Sequence, residues 1–202
     1  LRKSIEMKDD YATSHYNLAY AYFITGDGEN ALTYAKNALD LYENPEYKGD
    51  AARIIAAIYI NREDIASALK YSEMADQIDP GNYYNIKALL KLYVVTDHEK
   101  TLETTKAFFD LAPENPTIYN DLQDIYYSDN KENALIDFYK SQLTIYKENK
   151  KIQGNLNFYL GNLYLETDKK LAKKYFRNAK KVFKKVYEKD HDVFRVIDSV
   201  LE

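Results

Sequence analysis

The chain has 202 residues, of which 46% are hydrophobic and 30% charged, and its net charge is −4. That length suits one ordinary domain or a short repeat array. The absence of cysteine excludes disulfides and thiolate metal sites without selecting a compartment, and no run of about 18 apolar residues is available to span a membrane.

In chain order, residues 1–9 (LRKSIEMKD) read as the second helix of a pair whose first helix is missing, with Ser4 at a small-residue position. No secretory signal is visible at Leu1. The mid-helix start leads us to expect a protein that continues toward the N-terminus, or a chain cut there. A complete helix pair is expected over 12–45. Leu18, Ala19 and Tyr22 share one face of its first helix, residues 25–28 form a turn, and Ala31, Ala35 and Ala38 share a face of its second. The next pair, 49–80, carries Ile55, Ala56 and Tyr59, then Ala68, Ser72 and Ala75. Asp64 is its expected N-cap and Asp79-Pro80 its stop. The pair over 82–113 carries Ala88, Leu89 and Leu92, then Thr101, Thr105 and Phe108. Here Thr96 and Glu99 are expected to form a capping box, Pro113 closes the pair, and the register is open to one residue. The pair over 116–146 carries Leu122 and Tyr126, a cap from Asp129 with Glu132, then Ala134, Phe138 and Ser141.

The pair over 154–187 is the most regular. Leu160-Gly161 is followed by Tyr164, and then by Ala172, Phe176 and Ala179. Small residues at a helix crossing let two backbones approach, and the aromatic fills the gap that the approach leaves. This order resembles the signature of the tetratricopeptide repeat (TPR) family, and weaker copies of it cover nearly all of the chain. The resemblance implies an all-α fold, an α-solenoid of antiparallel helix pairs (a TPR superhelix). It would hold about five repeats after the half-repeat, closed by a capping helix over 190–202 built on Val193, Phe194, Val196, Ile197, Val200 and Leu201. The positions equivalent to Ala179 are Ser4, Ala38, Ala75, Phe108 and Ser141, giving separations of 34, 37, 33, 33 and 38. The two long separations predict about one extra helical turn near 41–50 and near 146–154.

The same resemblance implies a non-catalytic protein–protein interaction scaffold, with a peptide or protein segment held in a concave groove lined by the first helices. The groove residues it selects are Tyr16, Tyr20, Arg53, Tyr83, Lys87, Asn120, Asp124, Phe158 and Asn162. On the same faces it places Asp50, Ile54, Ile86, Leu90, Tyr93, Asn155 and Tyr159. One TPR subclass grips acidic chaperone tails with Lys or Arg and Asn. The matching positions here are Tyr16, Tyr20, Ile54, Tyr83 and Lys87, of which only Lys87 suits a carboxylate, so that clamp is not expected. The 21 tyrosines are divided between packing and a binding surface.

No catalytic constellation stands out: there is no P-loop, no G-x-G-x-x-G and no nucleophile elbow. The histidines are His15, His98 and His191, none with a second donor at ligand spacing, so neither metal nor cofactor is expected. The stretch 169–189 holds ten Lys or Arg and one Glu around the apolar seam, which makes its outer face basic. Two alternatives to a free-standing scaffold follow. The chain is then a TPR segment of a larger enzyme or signalling protein, or it binds nucleic acid or anionic lipid through this basic helix.

Overall fold

The computed structural model describes the backbone of residues 2–202 and the side chains of residues 11–202. Among the described residues there are eleven α-helices and no strand. They form two compact units, Leu1–Leu111 and Ala112–Glu202. The first holds α1 (Arg2–Ile24), α2 (Gly28–Leu41), α3 (Pro45–Asn61), α4 (Ile65–Ile78), α5 (Tyr83–Val95) and α6 (Thr101–Asp110). The second holds α7 (Pro116–Tyr127), α8 (Glu132–Ile145), α9 (Lys150–Tyr164), α10 (Lys169–Phe183) and α11 (Asp192–Leu201). The expected break between a half-repeat at 1–9 and the pair beginning at 12 is absent, since α1 runs through it as one helix of 23 residues. The Ser4 side chain lies outside the described residues.

Helix starts follow a rule of which the sequence reading named only the Asp64 cap. Asn44, Asn82, Asn115 and Asn149 cap α3, α5, α7 and α9, each accepting a backbone N–H from the first turn. Asp27, Asp64 and Asp168 do the same for α2, α4 and α10. Pro45 and Pro116 sit at the first position after their Asn caps, where a missing N–H costs nothing. Pro45 thus opens a helix rather than ending a repeat.

The two capping motifs expected for the weaker pairs are not formed. Thr96 ends α5 and donates its hydroxyl to Leu92 O at 2.8 Å, and α6 begins after Lys100 without a side-chain cap. Asp129 pairs instead with Lys131 at 2.6 Å, and α8 also starts uncapped. In both loops a left-handed residue, Asp97 (φ 52°) or Asn130 (φ 55°), carries the chain past the expected cap before the helix resumes.

The seam is built as the spacing predicts in the second and last pairs, and in the first apart from Leu18. Ala19, Ala31, Ala35, Ala38, Ala51, Ala52 and Ala75 are buried around Ile55 in the first unit. In α9 and α10, a Cβ added at Gly161 would lie 2.9 Å from the Phe176 ring, and one at Gly154 only 2.2 Å from the Phe183 ring. The bare backbones are therefore sockets for the two rings. Each of these three pairs also carries a tyrosine sandwich across the hairpin. Tyr22 stacks on Tyr34 at 5.5 Å, Tyr59 on Tyr71 at 5.6 Å and Tyr164 on Tyr175 at 5.7 Å.

Two registers differ from expectation. Leu18 is 43% exposed, and Ala12 and Ala19 carry the buried face of α1 instead. In α8, Ala134 and Ser141 are exposed while Leu135, Phe138, Tyr139 and Gln142 are buried, so the helix is turned one residue onward. The turn sinks its largest apolar side chains, and the seam tolerates a polar Gln142 in exchange. The longer spacings do appear as longer helices. α3 has 17 residues and α9 has 15, against 13 for α5 and 12 for α7. At the C-terminal end, α11 lays Phe194 and Ile197 on the Phe176–Phe183 cluster.

Candidate functional site

The candidate site is the face that the leading helix of each pair leaves uncovered, taken separately in each unit. In the first unit α1, α3 and α5 lead. Asp50 holds the Arg53 guanidinium at 2.6 Å, and the guanidinium carbon sits 5.3 Å from the centre of the Tyr84 ring. Arg53 Nε is buried and has no hydrogen-bond partner. Tyr16 packs edge-on to Tyr42 at 6.5 Å, and burial first, then the Asp50 carboxylate, pushes its hydroxyl above the ordinary tyrosine value. Tyr16, Arg53 and Tyr84 thus make a band of aromatic and guanidinium surface over three helices, with Tyr20 beside it at 53% exposure.

Tyr84, not Tyr83, is the exposed member of its dipeptide. The Tyr83 ring packs 5.3 Å from Phe108 and receives the Lys87 ammonium at 5.8 Å, while Tyr84 is 60% exposed. This is the one-residue ambiguity that the sequence left open in that pair. Ile54, Ile86, Leu90 and Tyr93, expected on the same faces, are buried core. Leu90 and Tyr93 sit three apart on a helix whose two sides are both covered, so periodicity alone could not separate groove from seam.

In the second unit α7 and α9 lead. Asn120 is exposed, but its amide oxygen accepts the Tyr159 hydroxyl at 2.8 Å. Tyr159 is buried, and its ring stacks on Tyr119 at 4.7 Å. Tyr119 in turn donates to Pro113 O at 2.7 Å, and Tyr139 of α8 reaches Tyr119 O at 3.4 Å. Burial pushes all three hydroxyls up, that of Tyr159 to about 12. These tyrosines are core. Asn155 is buried as well and donates to Glu114 O at 3.1 Å, tying α9 to the segment before α7. Phe158 is half-buried and packs edge-on to Phe176 at 5.5 Å. Asp124 and Asn162 remain on the surface, exposed and half-buried respectively.

The histidines do not converge. His15 lies between Tyr11 and Tyr34, His98 stacks on Tyr93 at 4.1 Å, and His191 caps α11 while stacking on Tyr187 at 4.1 Å. Among the described residues no group of three or more His, Cys, Asp or Glu is placed to hold a metal ion. No described helix is long and apolar enough to cross a membrane.

No protein-family model matches the chain. No curated protein matches it either. Solved structures do. MamA from Desulfovibrio magneticus RS-1, residue 41 to its end, is similar with a TM-score of 0.54 at 17% identity, over 87% of this chain and 97% of that one. PilF of Pseudomonas aeruginosa is similar with a TM-score of 0.54 at 16% identity, over 87% of this chain and 78% of that one. These neighbours are TPR proteins, and the likeness is one of fold. With its paired helices, small-residue seams and seated aromatics, the chain is an all-α protein with the TPR fold.

Proposed function

We propose that the chain is a protein-interaction scaffold that takes a segment of a protein partner on the leading-helix face of its first unit. The observation that carries this reading is the Tyr16–Arg53–Tyr84 band. Arg53 has a buried nitrogen with a donor unspent, and a largely exposed tyrosine ring lies against its guanidinium. Arg and Tyr are the residues that anchor protein contacts most often. A partner that lays apolar groups against the exposed Tyr20 and Tyr84 rings would bury them beside the guanidinium. The fold supports the general class, because stacked helix pairs present long faces and need no chemistry of their own.

The test compares the chain with a Tyr20→Glu, Tyr84→Glu variant in affinity capture from cell extract, followed by mass spectrometry. Both side chains are exposed, so the variant keeps its helicity. The expected outcome is loss of most of the captured partner. Equal capture by both proteins ends the assignment to this face. Tyr83→Glu is a poor substitute, because that ring packs on Phe108 and its loss would report folding.

A further inference from the structure

Beyond the leading-helix face, the second unit carries a basic trough between α9, α10 and the end of α8, a cavity of about 440 Å³. Lys174 and Lys181 line it from α10, Lys185 from the turn that follows α10, and Lys150 from α9, and among its described lining residues none is Asp or Glu. This is unlike the lysines around it. Lys173 donates to Leu201 O at 3.0 Å and Lys180 pairs with Asp198, so both are used to hold α11. Lys151 reaches Glu114 at 3.5 Å, and Lys140 reaches Asp137 at 3.8 Å. The trough gathers four lysines, none of them in a salt bridge with a carboxylate among the described residues.

The trough also offers acceptors. Gln153 spends its amide N–H on Leu143 O at 2.6 Å, and Asn157 spends its own on Gln153 O at 2.8 Å. Asn157 is only 6% exposed yet lines the cavity with Gln153, so the wall combines lysines with side-chain amides whose oxygens can accept. A ligand matched to this wall brings negative charge and N–H donors together. A peptide with acidic side chains does so, through its carboxylates and its backbone amides. The lysines form a row: Lys174 to Lys181 is about 10 Å along the helix, and Lys185 continues the row past its C-terminal end. An extended chain advances about 3.3 Å per residue, so several carboxylates of one segment can meet the row. Nucleic acid fits less well, because the aromatic at the wall, Tyr175, is stacked flat on Tyr164 and is not free to take a base.

We propose that this trough binds an acidic, extended segment of a partner protein. The experiment titrates the full chain into a fluorescein-labelled peptide of alternating Glu and Ser and follows fluorescence anisotropy. Binding is expected to weaken steeply with added salt. It is also expected to fall about tenfold or more in Lys174→Glu, Lys181→Glu, which removes two charge-assisted contacts. Lys169→Glu, Lys170→Glu makes the same charge change outside the cavity and is expected to leave affinity nearly intact. Circular dichroism of both variants confirms that the helices are present. Equal loss in both variants would make the attraction one of diffuse charge and overturn the site. So would absent peptide binding, or tighter binding of a single-stranded DNA oligonucleotide or of phosphatidylserine vesicles than of the peptide.

Discussion

Two glycines carry more of the architecture than their size suggests. Gly154 and Gly161 sit under the Phe183 and Phe176 rings, and neither has room for a methyl group. Gly154→Ala would gain about 1 kcal/mol of helix propensity, but placing carbon 2.2 Å from Phe183 Cε1 forces a ring displacement. We expect a loss of about 1–3 kcal/mol, as for other overpacked cores. Urea denaturation measures it, and adding Phe183→Leu to Gly154→Ala should return part of the stability. A double variant no better than the single one would show that the ring is not the obstacle. The Gly161–Phe176 contact was legible in the residue order alone, because a small residue and an aromatic recur at signature spacing. The Gly154–Phe183 contact was not. It lies one helical turn outside that signature, in the part of α9 where the spacing had only announced extra length. Tyr83 and Tyr84 show the limit of such reading: adjacent aromatics differ by about 100° around a helix, and only Phe108 decides which one turns inward.

At the scale of elements, the helix pairs differ in how fully each is specified. Three of them have a side-chain cap on the second helix, a tyrosine sandwich across the hairpin and small residues in the seam. The pairs α5–α6 and α7–α8 lack the side-chain cap on their second helix. Their residues matched the signature least, and there the expected capping boxes failed and α8 turned by one residue. With no small-residue seam to fix the rotation of α8, its bulk decides: Leu135, Ile136 and Tyr139 go inward. The Asn caps are testable directly. Asn82 accepts from Tyr84 N at 2.9 Å and Asn85 N at 3.3 Å while donating to Asp79 at 2.8 Å. Asn82→Ala should cost about 1–2 kcal/mol, read as a lowered Tm, whereas Asn82→Ser, which caps without setting a second carboxylate beside Asp79, should retain most of the cap. Equal losses in the two variants would mean that the capping bond contributes little.

For the whole molecule, tyrosine burial sets the alkaline limit. Burial raises Tyr119, Tyr139 and Tyr159, and raises Tyr93 together with its bond to Glu73; the Tyr159 value reaches about 12. A folded value above the unfolded one, near 10, means the contribution is complete below the unfolded value and is lost as pH rises through the folded one. Asp27, Asp64 and Glu114 act in the opposite sense. Their carboxylates are held low: Asp27 first by the Asn30 side chain and then by the capping N–H, Asp64 first by the Ser67 side chain and then by its capping N–H, and Glu114 chiefly by Asn149. Their contribution is present above the ordinary carboxylate range and fades as pH falls through the folded values. Asp76, raised by burial and then by Asp79, partly offsets this on the acid side. Thermal melts across pH should therefore fall off at both extremes. Above about pH 10, part of the tyrosinate absorbance should appear only as helicity disappears. Complete ionisation of the tyrosines with helicity intact would contradict the burial of the Tyr119–Tyr139–Tyr159 group.

The rings seated on Gly154 and Gly161 also decide how α9 and α10 yield to force. Neither helix can creep along the other, because a small slip would drive each ring onto a neighbouring side chain with no half-way resting place. The pair is therefore keyed like a bolt in a slot: stiff against shear up to the point where both rings leave their seats, then released in one step. A cable-like element stretches under tension, whereas this one transmits load along its length and fails brittly.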